Sequence, residues 1–174
     1  MATSGKTTYD DLPDDPVSAR SRWGTRIGIG LLALVVAAAL AGLFGPRTET
    51  VQVREGAYTM TVTYPAQTRA GQPAPLDVVV RHPGGFDAPL ALGICDEFFD
   101  DADFQNWYPN PAAETAEPGR VVYEFDPPPG DVFEVRLDAR TAPQQFGEVD
   151  DCTVALLLGD QPLLDTTFTV WRMP

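Results

Sequence analysis

Two cysteines, Cys95 and Cys152, are the only thiols in the chain. A dithiol that does redox work is usually built as C-x-x-C, with one thiolate beside its resolving partner, whereas these two stand 57 positions apart. Both lie in the part of the chain read below as exported, where an oxidising environment favours a bond over free thiols. A structural disulfide is therefore expected, with a loop closure worth roughly 3 to 4 kcal/mol in the chain-entropy model. Carboxylates crowd both cysteines: Asp96, Glu97, Asp100, Asp101 and Asp103 follow the first, and Glu148, Asp150 and Asp151 precede the second. A hard cation such as Ca²⁺ takes six to eight oxygens, which makes Asp96, Asp100, Asp101, Asp103, Asp150 and Asp151 the candidate metal ligands. No D-x-[DN]-x-[DN]-G loop is present, and a solvated acidic face explains the same residues without a metal. Interleaved with the acids are Phe98, Phe99, Phe104, Trp107 and Tyr108. The three phenylalanines suit the cap of a core, and Trp107 and Tyr108 are the candidates for contact with a partner.

The inventory is poor for catalysis. Residues 45–174 contain no serine, no lysine and a single histidine, His82. Serine triads, Ser-Lys dyads and lysine Schiff bases are thereby excluded from this part of the chain. One histidine does not build a His-rich zinc site, and its place before Pro83-Gly84-Gly85 reads as a turn. Paired-carboxylate hydrolysis is compatible with the composition, but nothing marks two carboxylates as sharing a cleft. The expectation is a protein that is not an enzyme and holds no cofactor, with Ca²⁺ as the one candidate ion.

The elements that position these residues follow from how charge is distributed. The net charge of −13 falls entirely in residues 45–174, which hold eight arginines and 21 carboxylates. Such a surface repels a phosphate backbone, so nucleic acid is not an expected partner. Residues 27–44 carry no charge, and 18 residues at a helical rise of 1.5 Å span roughly 27 Å, close to one bilayer crossing. Arg20, Arg22 and Arg26 precede this run while only Arg47 and Arg54 closely follow it. The positive-inside bias then places the N-terminus in the cytoplasm and the remainder outside the plasma membrane, with Trp23 at the headgroup level. The division expected is a disordered cytoplasmic tail over 1–22, a transmembrane helix over 23–45 and an exported domain over 46–174. Ala39-Leu40-Ala41 is also an A-x-A pattern, so a secreted domain released by cleavage is the rival; an acidic n-region and an apolar run continuing to Phe44 speak against it. Ala33, Ala37 and Ala41, with Gly45, recur every four residues and would let a second membrane helix approach closely.

Beyond Pro46 the apolar period becomes two. It is legible at Tyr58–Tyr64, Leu76–Arg81, Val121–Phe125 and Phe133–Leu137, with further strands near 88–94, 152–158 and 163–171, the last two joined by the turn at 159–162. Fifteen of the 17 prolines fall in residues 45–174 and punctuate these runs. Seven to eight strands so spaced predict an antiparallel immunoglobulin- or fibronectin-III-like β-sandwich, with an irregular stretch over 95–118 that holds a helical turn at most. In that topology Cys95 ends one strand and Cys152 begins its antiparallel neighbour, at the pole opposite the one where the chain leaves the membrane.

The stretches at 64–86, Phe125-Asp126-Pro127-Pro128-Pro129-Gly130 and Leu137-Asp138-Ala139-Arg140 resemble small single-pass membrane proteins of high-GC Gram-positive, actinobacterial type, which carry an exported immunoglobulin-like domain. The resemblance spans about residues 20–174 and rests on strand and turn signatures, so it implies an architecture and no site. It also implies company with YetF-type integral membrane proteins. The function expected is that of a membrane-anchored, noncatalytic accessory or binding module whose partner is another membrane or envelope protein. The alternatives are a Ca²⁺-dependent adhesion or ligand-binding domain and a secreted domain.

Overall fold

The structure, a computed structural model, describes residues 19–43, 45–100, 102–143, 149–159 and 161–173. The chain divides into two compact units, Met1–Phe44 and Gly45–Pro174. In the first, helix α1 (Ala19–Leu40) is rich in Leu, Ala and Val, exposes its side chains, and is long and apolar enough to cross a membrane. It stops before the apolar run does. Gly42 N–H bonds the Ala39 carbonyl, Leu43 N–H bonds the Ala38 carbonyl, and Gly42 takes φ +74°, a left-handed cap that glycine adopts without steric cost. The run to Phe44 therefore does contain a helix terminator. Ala33 and Ala37 lie within α1, and Ala41 lies in the closing turn.

The second unit is mainly β. Its elements are β1 (Arg47–Glu55), β2 (Tyr58–Arg69), β3 (Leu76–Arg81), β4 (Leu90–Cys95), α2 (Glu97–Asp100), β5 (Ala102–Tyr108), β6 (Ala113–Glu117), β7 (Arg120–Phe125), β8 (Val132–Thr141), β9 (Val149–Leu158) and β10 (Gln161–Met173). The order is β5-β8-β3-β2-β10-β9-β4-β7-β6, with β1 on β2. Every ladder is antiparallel except β2 with β10, which is parallel. The sheet is thus mixed and curled rather than strictly antiparallel. The mixing is local to β2, which pairs with β3 as far as Thr63 and with β10 from Gln67 onward. Pro65, which has no N–H to give a ladder, stands between the two partnerships.

Alternation explains the core. In β8 the buried residues are Phe133, Val135, Leu137, Ala139 and Thr141, with Glu134, Arg136 and Arg140 outside. With Met60, Val62, Val78 and Val80, the apolar four, Phe133, Val135, Leu137 and Ala139, meet Leu92, Ile94, Phe125, Val154, Leu156 and Phe168 in one cluster, so both halves of the curled sheet share a single interior. A smaller cluster of Val122, Ala155 and Leu157 lies apart from it.

Among the described residues ten strands form where seven or eight are legible. The 95–118 stretch contains β5 and β6 as well as the α2 turn, because β8 has a free side on which Gln105–Tyr108 can pair. The third addition, β1, reverses the polarity expected for the domain. Read with Tyr58 as its first strand residue, the domain begins at the end remote from the cysteines. The β1–β2 hairpin instead sets Arg47 against Gln67, Gln67 against Trp171 and Trp171 against Val149. The start of β1 thus shares one end of the domain with Cys95, Cys152 and α2, here called the disulfide end. The opposite, proline end carries the β1–β2 hairpin, the 82–85 turn and Pro127–Gly130.

Candidate binding surfaces

At the disulfide end, Cys95 and Cys152 are bonded, with Cα atoms 5.4 Å apart, and tie the end of β4 to the start of β9. Asp96 begins the following turn, its carbonyl accepting from the N–H groups of Phe99 and Asp100. This turn buries Phe98, which meets Phe99 and Phe168 edge-on. Phe99 packs in turn on Tyr123. Trp107 is corrected from surface to interior. The Trp107–Leu137 pair places it on the inner side of β5, where it is 7% exposed and packs tilted against Tyr123 with centroids 4.5 Å apart and edge-on to Phe125 at 5.9 Å. Tyr108, one residue on, is 56% exposed. Burial pushes the Tyr123 phenol up to about 12, the charge of Glu114 adds to this, and a hydrogen bond from Trp107 opposes it.

The candidate metal ligands divide. Asp100 and Asp151 are exposed and Asp96 is half-buried. Asp101 and Glu148 lie outside the described residues, as do the side chains of Asp103, Asp150 and Phe104. Asp151 accepts a hydrogen bond from the Thr169 hydroxyl at 2.5 Å. Among the described residues no three His, Cys, Asp or Glu side chains are placed to hold a metal ion.

At the proline end, an open groove of about 430 Å³ is lined by Pro109, Asn110, Pro127, Pro128, Pro129 and Glu134, with Phe125 and Phe133 at its base. Its size lies in the range of small-ligand and peptide-side-chain pockets. Tyr108 leads directly into it through Pro109. Sequence reasoning takes these prolines as turn punctuation only, since nothing local shows that Pro109 and Pro127–Pro129 meet. Nearby, His82 stacks on Tyr58 with ring centroids 4.1 Å apart, and its Nδ1 lies 2.7 Å from the Gly85 carbonyl. A carbonyl only accepts, so Nδ1 carries the proton. His82 is thereby a turn-former. On the outer face of β3 and β8, Arg136 bridges Asp138 at 2.7 Å and Asp77 at 3.6 Å. The Asp77 carboxyl is nevertheless raised, because burial and the neighbouring Asp138 and Glu134 outweigh Arg136.

No family model matches the chain, and no curated protein does. Among solved structures, the CARDB domain of a Pyrococcus furiosus protein, in complex with di-metal ions, aligns at TM-score 0.37 and 12% identity over 74% of this chain and 94% of that one. The Pseudomonas fluorescens alkylpurine DNA glycosylase AlkC, bound to DNA containing an abasic site analog, aligns at TM-score 0.30 and 14% identity over 62% of this chain and 28% of its own. A Listeria innocua β-glucosidase in complex with isofagomine aligns at TM-score 0.33 and 10% identity over 75% of this chain and 16% of its own.

Proposed function

We propose that the protein is a membrane-anchored, noncatalytic binding module. In this reading α1 crosses the plasma membrane with its N-terminus in the cytoplasm. The oxidised β domain, an immunoglobulin-like sandwich, stands outside and engages another membrane or envelope protein, a YetF-type protein being the candidate that the sequence resemblance offers. The parallel β2–β10 closure and the bond between β4 and β9 support the sandwich assignment. The observation that carries the binding role is the proline-lined groove, at the end of the domain away from Arg47, with exposed Tyr108 next in the chain to its lining residue Pro109. Aromatic side chains beside a pre-formed groove supply contact area at low entropy cost.

Tagged full-length protein purified from mild-detergent membranes tests this reading, beside a Tyr108→Ala variant and a chain whose α1 is replaced by an unrelated anchor. A partner that is retained with the foreign anchor and lost with Tyr108→Ala supports it. Loss only with the foreign anchor would move the contact to the Ala33–Ala37 stripe, and absence of any partner would contradict a binding role.

A further inference from the structure

We infer that the disulfide end of the β domain rests on the bilayer surface, with the indole of Trp171 seated among the lipid headgroups. The inference rests on α1 being a membrane span. Its starting observation is that Trp171, on the outer side of β10, is 49% exposed, whereas Trp107 is in the core. Among the described residues of the β domain, the other large exposed hydrophobics are Tyr108 and Leu158, and Leu158 belongs to the hairpin at the far end of β9. Trp171 is therefore the large apolar side chain left uncovered at the disulfide end. An indole with an apolar body and a polar N–H is best accommodated at a membrane–water boundary.

The chain itself brings that boundary close. Trp171 and Arg47 flank Gln67 in adjacent ladders, two strand spacings or roughly 10 Å apart. Six residues separate Leu40, the end of α1, from Arg47, and three of them are used in the turn that closes the helix. Even fully extended, six residues reach only about 20 Å. That length lets Trp171 reach the headgroup layer when the disulfide end turns toward the bilayer. Glu97, Asp100 and Asp151 are exposed at the same end. The contact is accordingly carried by the ring and not by attraction to anionic lipid, and it persists in zwitterionic bilayers.

The test uses full-length protein in phosphatidylcholine vesicles, with and without phosphatidylglycerol, carrying a spin label on Trp171→Cys, Tyr108→Cys or Leu34→Cys; the native cysteines are bonded to each other. Collisions with oxygen and with a water-soluble nickel chelate report depth. The expected result is Leu34 in the hydrocarbon, Tyr108 in water, and Trp171 several-fold less accessible to nickel than Tyr108 in both lipid mixtures. A Trp171 label as accessible to nickel as Tyr108, with Leu34 still in lipid and the native indole not quenched by brominated lipid, would overturn the inference and leave the anchor standing. A Leu34 label in water would overturn both. Quenching of the native indole by brominated lipid, in a Trp23→Phe background and lost in Trp23→Phe/Trp171→Phe, checks the seating without altering position 171. Shielding from aqueous quencher without lipid quenching would mean a protein contact and overturn it.

Discussion

Trp107 and Tyr108 are neighbours in the chain and opposite in environment, because successive residues of a strand face opposite sides. Trp107→Ala removes a ring packed on Tyr123 and Phe125 and is expected to cost about 3 to 5 kcal/mol in a denaturant titration. Tyr108→Ala is expected to stay within about 0.5 kcal/mol of the parent. Equal effects would contradict the placement of β5. The Cys95–Cys152 bond is a second residue-scale test: reduction, or Cys95→Ser with Cys152→Ser, should lower stability by roughly 4 kcal/mol, the loop-closure value for a separation of 57. Tyr123 makes stability depend on alkaline pH. Its folded pKa is about 12 against 10 for an ordinary phenol, so the folded state holds the proton more tightly. That stabilisation is fully present below pH 10 and is lost as pH rises from 10 toward 12. Across this window the denaturation midpoint of Tyr123→Phe should fall less than that of the parent. An identical fall would contradict burial of the phenol.

Four of the seven legible runs alternate clearly because buried and more exposed residues take turns, as in Val132–Thr141; the runs in β4 and β9 are mostly buried on both faces and read as short apolar stretches. The other three strands are hidden for physical reasons that differ. In Arg47–Glu55, Val51 and Val53 alone mark an inner face, among charged and polar residues that are nearly all exposed, since β1 pairs with a single neighbour. Ala113–Glu117 is an edge strand with hardly a buried side chain. Ala102–Tyr108 has aromatics at irregular spacing and a register shift between Ala102 and Phe104, which blurs its period. Missing β1 had the larger consequence, because one added antiparallel strand moves the start of the domain to its other end. The groove at the proline end was illegible for another reason: Pro109 and Pro127–Pro129 are brought together by tertiary pairing alone. The loops of that end have their own test. Gly85 takes φ +86°, and a Cβ there would sit 3.2 Å from the Gly130 carbonyl oxygen. Gly85→Ala is expected to cost roughly 1 to 2 kcal/mol through backbone strain. A neutral result would show that the 82–85 turn is not pinned against Gly130.

At the scale of the whole chain, two units with opposite solvent preferences are joined by a few residues. One is an apolar helix with its side chains exposed; the other, Gly45–Pro174, buries its own core and carries the whole of the protein's net charge of −13. A helix of that composition is stable in lipid, and a domain of that charge stays soluble beside an anionic surface. In the proposed arrangement the disulfide lies on the oxidising side of the membrane, where such a bond persists. Anchoring, orientation and oxidation are therefore one claim.

Protease added to intact cells, followed by intact-mass measurement of the tagged chain left in the membrane fraction, tests that claim most directly. The account predicts that the untreated chain retains its residues before Ala41, and that protease removes the β domain and leaves an N-terminal fragment containing α1 in the membrane. A β domain that is cut only after the cells are opened, or an untreated chain that begins at Gly42 and is found outside the membrane, would contradict it.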